Sequence, residues 1–197
     1  MILNKLEMAL MNNRVRAAVQ RGYEGRVLER LGGRMHGGVA LEVGCGRGVG
    51  AEIILDRFGA DRVEAFDLDP QMVELARARM ATRGERIRFS VGDAESIKAA
   101  DATYDAVFEF GILHHVPDWR KALREIRRVA KPGGTFYAED FYGASIPRSW
   151  TGKLLAHPEE GRFDHPRFKK AIRQAGFEIL DETCLLRLFG FVAAKAV

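Results

Sequence analysis

Between Ala40 and Gly50 the chain reads ALEVGCGRGVG, so Gly44, Gly46, Gly48 and Gly50 fall within seven residues behind a short apolar run. A backbone this bare between a strand and a helix is the usual way to bring main-chain N–H groups close to a nucleotide-like ligand. A tight turn with no ligand would use the same residues. The rest of the chain has to separate the two.

What surrounds the glycines is an alternation of strand and helix patterns. Residues 39–43 read as a strand ending at the glycines. Residues 50–59 read as a helix with Ala51, Ile54, Leu55 and Phe58 on one face and Gly59 as its stop. A second strand, 62–69, closes on Asp67 and Asp69, and Pro70 suits the first turn of the next helix. Asp69 is expected to cap that helix and Met72 to join its core stripe, with Ala76 and Met80. A third strand ends at Asp93 and a fourth at Glu109. Asp118 then caps a helix that buries Trp119, Leu123, Ile126 and Val129, and Pro132-Gly133-Gly134 turns the chain into a fifth strand ending at Glu139 and Asp140. An irregular stretch, 141–164, precedes a last helix with Pro166 near its start and Gly176 after its end, and the tail has room for two strands. Such alternation predicts an α/β fold, a mostly parallel sheet with helices on both faces. In these sheets ligands bind outside the carboxyl ends of the strands. The glycines, Asp67, Asp93 and Glu109 all belong to that one edge, which argues against an empty turn.

The 197 residues suit a single domain, read as an N-terminal helical lid over 1–34, a ligand-binding core over 35–140 and a substrate-side segment over 141–197. No apolar run is long enough to span a membrane, and Lys5 and Glu7 interrupt the start, which does not read as a secretory signal. Cys45 and Cys184 form neither a disulfide framework nor a metal-ligand spacing, so a reduced, cytoplasmic protein without a metal site is expected; Cys45 reads as a small filler in the turn. The formal net charge of +4 resides in residues 1–34, where seven basic side chains face three acids. With apolar Ile2, Leu3, Leu6, Met8, Leu10 and Met11, this leader reads as a lid that packs its apolar side on the domain and leaves its arginines in water. Peripheral contact with an anionic membrane is the alternative.

A dinucleotide site satisfies part of the pattern. Gly46, Gly48 and Ala51 fit G-x-G-x-x-A, and Asp67 stands 21 residues after Gly46, where a ribose-binding acid belongs. Glu42, two residues before Gly44, is an acid where a pyrophosphate gains nothing, but it would serve a ligand with an ammonium group. Asp93, beside the Ala94 backbone, would accept from an exocyclic amine and so read an adenine. No lysine accompanies the loop as a nucleoside triphosphate would need.

The ordered set LEVGCGRG, EAFDLDPQM, VGDAESI, YDAVFEFGILHHVPD and LREIRRVAKPGG, from about residue 39 to 140, resembles the class I S-adenosylmethionine-dependent methyltransferases. It is most similar to the small single-domain type that includes the ubiquinone and menaquinone methyltransferases. The resemblance implies a Rossmann-like doubly wound sheet of seven strands, mostly parallel, with an antiparallel last strand. It implies S-adenosylmethionine held by Gly44, Gly46 and Gly48 under the methionine and ribose, and by Glu42 facing the methionyl amine. Asp67 would take the ribose hydroxyls, Leu68 would pack on the adenine, and Asp93 and Ala94 would hold its edge. The strand end from Glu109 to Gly111 would line the route to the methyl group.

Methyl transfer from a sulfonium is an in-line displacement, so alignment is the first requirement and a base is needed only if the acceptor keeps its proton. His114, with His115 beside it, Glu139 and Asp140 are the candidates for proton transfer or for binding a polar acceptor. Trp150 and His157 are weaker candidates for the substrate side. The segment EFGILHH lacks the [DN]-P-P-[YF] arrangement linked to methylation of planar nitrogens, and the basic leader lacks interleaved aromatics apart from Tyr23, which argues against nucleic acid. A small-molecule acceptor is expected, with a lipid-like acceptor, a non-catalytic cofactor-binding protein and a dehydrogenase as alternatives.

Overall fold

In the computed structural model, residues 13–142 and 163–197 are described. The apolar residues of the leader up to Met11, together with Trp150 and His157, lie outside them. Helix α1 runs over Arg14–Val19, passes through a π-helical stretch, Gln20–Glu24, and continues over Gly25–Gly32. Strand β1 (Val39–Val43) leads through the glycine turn into α2, which is α-helical over Val49–Ile53 and π-helical over Ile54–Phe58. Then come β2 (Arg62–Asp67), α3 (Pro70–Met80), β3 (Ile87–Val91), β4 (Tyr104–Phe110), α4 (Trp119–Val129) and β5 (Ala130–Phe141). Helix α5 (His165–Gln174) and strands β6 (Phe177–Leu185) and β7 (Phe189–Ala196) end the chain.

The seven strands form one sheet in the order β3-β2-β1-β4-β5-β7-β6. All pairs from β3 to β5 are parallel, and β7 lies antiparallel between β5 and β6. This is the Rossmann-like sheet with an antiparallel last strand. The order reverses between β1 and β4, and the registers make the strand ends level there, since Val43 stands opposite both Phe66 and Glu109, and Phe110 opposite Glu139. The candidate acids therefore reach one edge.

Period-two alternation sends neighbouring strand residues to two cores. On one face Ala40, Phe108 and Tyr137 pack with Leu28, Ile54 and Phe58 of α1 and α2; on the other Leu41, Val107 and Phe136 pack with Leu123, Ile126, Phe168 and Ile172 of α4 and α5. Phe108 and Tyr137 stack at 4.5 Å, and Phe58 meets both rings edge-on at 4.8 and 4.9 Å. Each such side chain contributes about 1.5–3 kcal/mol by burial. The Tyr137 hydroxyl donates to the Gly32 and Gly33 carbonyls at 3.0 and 3.1 Å, which fastens the end of α1 to the sheet. Asp69 caps α3 by accepting from Gln71 N, Asp118 caps α4 by accepting from Lys121 N, and Met72 and Cys45 are buried.

Three local expectations need correction. Arginines of α1 do not all stand in water: Arg16 pairs with Glu24 and Glu139, and Arg21 with Glu52, because buried and half-buried carboxylates need cations. The fifth strand starts earlier than Thr135. Ala130 pairs with Tyr104 and Thr135 with Ala106, so Lys131–Gly134 bulge out within β5, with Gly133 at φ +79°. The helix after the glycine turn is π-helical in its second half.

The β6–β7 turn carries strain. Leu188 N–H donates to the Leu185 carbonyl at 2.9 Å, and the two residues between, Leu186 and Arg187, have φ of 52° and 60°. Both central residues with positive φ mark a type I′ turn, which favours Asn-Gly. A left-handed backbone costs a residue with a side chain about 1–2 kcal/mol. Replacing Leu186 and Arg187 together by Asn and Gly is therefore expected to raise the unfolding free energy by about 1–2 kcal/mol, read as a higher urea midpoint at unchanged slope.

Candidate active site

A cleft of about 250 Å³ opens at the carboxyl edge, on the β1–β2–β3 side of the switch point. Gly44, Asp67, Leu68, Asp93 and Ala94 line it, so five of the residues singled out for the cofactor share one cavity. The remaining walls are Val43, Phe66, Gly92 and Glu95, with Ile112, His115, Val116 and Pro117 from the loop after β4. In the sequence only the histidines of that loop stand out; its apolar residues carry no local signal of a binding wall. Glu42, Gly46, Gly48 and Glu109 are not among its lining residues.

Asp67 organises the turns around this cavity. Its Oδ2 accepts from Gly46 N at 2.8 Å, its Oδ1 from Asp69 N at 3.0 Å, and its main-chain carbonyl from Gly92 N at 3.0 Å. Burial raises its pKa, against the pull of the Asp69 and Gly46 N–H groups. Gly44, at φ +78°, has no room for a side chain: a Cβ there would lie 2.4 Å from Ile112 Cγ2. Asp93 Oδ1 accepts from Glu95 N at 2.9 Å in a local turn, and Ala94 is buried beside it.

Glu42 is almost wholly buried, and a Cβ on Gly50 would fall 1.9 Å from its Oε1. The fourth glycine is bare for that carboxylate, a reason local sequence does not display. Burial and then Asp67 push the Glu42 pKa well above the ordinary carboxylate range, opposed by the Ala51 N–H. Its Oε2 has no hydrogen-bond partner among the described residues. The first turn of α2, where a dinucleotide fold places a pyrophosphate, thus holds a carboxylate. A cationic amine beside this acid would favour its ionised form, whereas a phosphate would oppose it. The residues present fit S-adenosylmethionine: an acid for the amine, a second acid for ribose hydroxyls, an apolar slot for a base.

Beyond the glycine turn a second group of acids is buried at the ends of β4 and β5. Glu109 Oε2 accepts from Gly111 N at 3.0 Å and from Ile112 N at 3.1 Å. Burial, then the neighbouring Asp140, raises its pKa well above the usual range. Asp140, fully buried, accepts through Oδ2 from His114 N at 3.2 Å and through Oδ1 from Phe141 N at 2.6 Å, and its Oδ1 also meets His114 Nδ1. The His114 ring stands 4.0 Å from the ring of His115, which lines the cleft. Glu139 turns the other way, toward Arg16 at 3.5 Å and Glu24 of α1; burial and then Glu24 raise its pKa while Arg16 lowers it. Arg16 and Glu24 were not singled out from the sequence, since nothing local marks them as partners of a strand end. Among the described residues no three His, Cys, Asp or Glu groups are placed to hold a metal ion.

The methyltransferase-domain family matches residues 41–138. This stretch is a class I S-adenosylmethionine-dependent methyltransferase domain. The chain is 32% identical over 110 residues to phosphoethanolamine N-methyltransferase 2 of Caenorhabditis elegans, covering 55% of this chain and 25% of that protein. It is 29% identical over 145 residues to a fatty-acid O-methyltransferase of Mycolicibacterium smegmatis, covering 74% of this chain and 46% of that protein. The chain thus spans less than half the length of these curated relatives. In fold it is similar to a SAM-dependent methyltransferase of Aquifex aeolicus, with a TM-score of 0.76 at 20% identity over 98% of this chain and 99% of that one. S-adenosylmethionine is the cofactor of such a domain.

Two outcomes follow from this methyltransferase domain's geometry. Gly44→Ala is expected to destabilise the protein by about 1–3 kcal/mol through overpacking against Ile112, and to weaken S-adenosylmethionine binding at least about tenfold, measured by urea unfolding and calorimetry. Glu109, with its folded pKa above the unfolded value, binds more protons in the folded state. Its contribution is therefore fully present below about pH 4.3 and is lost as pH rises through the folded pKa. Glu109→Gln keeps an acceptor for Gly111 and Ile112 N–H, so its melting temperature should fall less than that of the wild type between mildly acidic and mildly alkaline buffer.

Proposed function

We propose that the protein is a methyltransferase in which His114 takes the proton of a small-molecule acceptor. The observation that carries this reading is the His114–Asp140 pair. An ionised Asp140 can only accept, and in that form it would hold the proton of the imidazole on Nδ1 and make Nε2 the basic nitrogen. The main-chain N–H of His114 donates to the other carboxylate oxygen and anchors the residue beside Asp140. Asp140 acts as a positioning residue through His114, while Arg16 and Glu24 occupy Glu139.

Bound S-adenosylmethionine supplies a methyl group on a sulfonium, already activated for displacement. The residues of the chain then have three tasks. Gly44 and Asp67 would hold the cofactor in the cleft, with the buried Glu42 available to its amine; Ile112 and Val116 would cover its apolar part; and His114 would take the O–H or N–H proton of the acceptor. Orientation of this kind is worth up to about 7–11 kcal/mol, and a positioned base about 10²–10⁴-fold in rate.

A lipid-like acceptor is a second reading, supported by the fatty-acid relative. Quinols, fatty acids and phosphoethanolamine are the acceptors to screen first. The work belongs in a reducing, cytoplasmic setting, in keeping with the free thiols of Cys45 and Cys184. No helix among the described residues is long and apolar enough to cross a membrane.

The test has two steps. Calorimetric titration should show saturable binding of S-adenosylmethionine or S-adenosylhomocysteine that Asp67→Ala abolishes; binding of NAD(H) alone would overturn the reading. With an acceptor found by release of S-adenosylhomocysteine, His114→Ala and Asp140→Asn should each lower kcat about 10²–10⁴-fold while leaving cofactor affinity within about twofold. A purely structural His114 would lower stability and cofactor affinity instead. For Asp140→Asn, a kcat loss that shrinks at alkaline pH would separate positioning of a base from simple disruption.

A further inference from the structure

The tip of the β6–β7 hairpin is built against local preference. Leu186 and Arg187 hold the two left-handed positions of its turn, and Leu186 is 78% exposed there. Leu185 and Phe189, which flank the turn, are also exposed, at 44% and 38%. An Asn-Gly turn would relieve the backbone, and no packing among the described residues explains an apolar side chain in that place. Residues that break a local rule without a compensating contact in the fold point to a partner outside it.

Position and charge identify the partner. Strand β6 runs parallel to β5, separated from it only by β7, so the tip lies at the carboxyl edge, where the cleft opens. Phe189 packs on Phe141 at 5.1 Å, Phe141 on His114 at 5.9 Å, and Leu188 O accepts from Tyr142 N at 2.7 Å. The tip is thus tied to the His114–Asp140 pair by two ring contacts. From Cys184 to Phe191 the chain carries one charged residue, Arg187. The nearest acid along β6, Glu182, is already matched by Lys169 and His165. Three apolar side chains around one cation are too few for a stable protein interface, which needs about 800 Å² from each partner. They suit a bilayer surface, where leucine and phenylalanine enter the acyl boundary and an arginine snorkels to phosphate.

We infer that this hairpin tip is a membrane-docking prong whose partner is an anionic lipid leaflet. It narrows the acceptor to an amphiphile resident in that leaflet, and in this it rests on the methyltransferase reading; the docking itself does not. Leu185, Leu186 and Phe189 anchor the edge of the sheet, Arg187 selects negative headgroups, and the acceptor's polar end is delivered beside His114.

The test is cosedimentation of the full chain with vesicles of phosphatidylcholine alone or mixed equally with phosphatidylglycerol, at low and high salt. Wild type should partition onto the anionic vesicles and be released by salt. The double variant Leu186→Asn, Arg187→Gly, whose turn is the favoured one, should fold at least as well and partition about tenfold or more weakly. Leu186→Trp should show a blue-shifted emission with anionic vesicles only. S-adenosylmethionine affinity, measured in parallel, should be the same in the wild type and the double variant. Loss of cofactor binding with vesicle binding intact would overturn the methyltransferase reading and leave the prong standing. Vesicle binding that the double variant retains, as it would through the basic leader, overturns the prong. So does failure of the wild type to bind vesicles, or a dimer by light scattering that the double variant dissolves.

Discussion

The carboxylate of Asp67 is the joint on which the cofactor cleft depends. One oxygen holds the glycine turn after β1 through Gly46 N–H, the other holds the start of α3 through Asp69 N–H, and the same residue's carbonyl receives Gly92 N–H after β3. Three turns that would otherwise move separately are therefore fixed to the end of one strand. The cavity exists because these turns stay apart while Ile112, Val116 and Pro117 close it from the β4 side. In a half-buried setting each hydrogen bond to a charged group is worth about 1.5–3 kcal/mol, enough to hold a site that contains several glycines.

A second constraint is a set of carboxyl groups held out of water. Glu42, Glu109, Glu139 and Asp140 are all buried at the same sheet edge, and their needs differ. Asp140 is satisfied by N–H groups and by His114. Glu139 draws Arg16 and Glu24 from α1, which makes the first described helix part of the site's support as well as a cover for the sheet. Glu42 and Glu109 keep an oxygen each without a partner among the described residues. Buried acids of this kind cost free energy unless something cationic arrives. A ligand that carries an amine and a sulfonium meets that condition, and a pyrophosphate does not. Electrostatics, more than the glycine pattern, separates this site from a dinucleotide fold.

At the far side of the same carboxyl edge lies the β6–β7 turn. It carries the strained, exposed Leu186 and Arg187, and the aromatic contacts from Phe189 through Phe141 join it to His114. The cleft for the cofactor lies on the β1–β2–β3 side and the tip on the β5–β7–β6 side, so His114 stands between the two.

The sequence by itself determined the alternation of strands and helices, the helix caps at Asp69 and Asp118, and the glycine turn. It also placed Asp67 and Glu109 at strand ends, whereas β3 stops at Val91 and Asp93, expected as its last residue, falls in the turn beyond, where its side chain accepts from Glu95 N. These are local properties: a period of two or 3.6, a side chain reaching its own backbone a few residues on, a backbone that needs positive φ. Tertiary structure alone decided which of the acids line the cleft and which do not. Asp140 meets His114 across 26 residues and Arg16 meets Glu139 across 123, and both pairs depend on strand order. The bulge within β5 and the strained turn after β6 were likewise invisible, because register and the neighbouring strand impose them against local preference. Long-range charge pairing and register depend on how elements are assembled, and no periodicity along the chain records that.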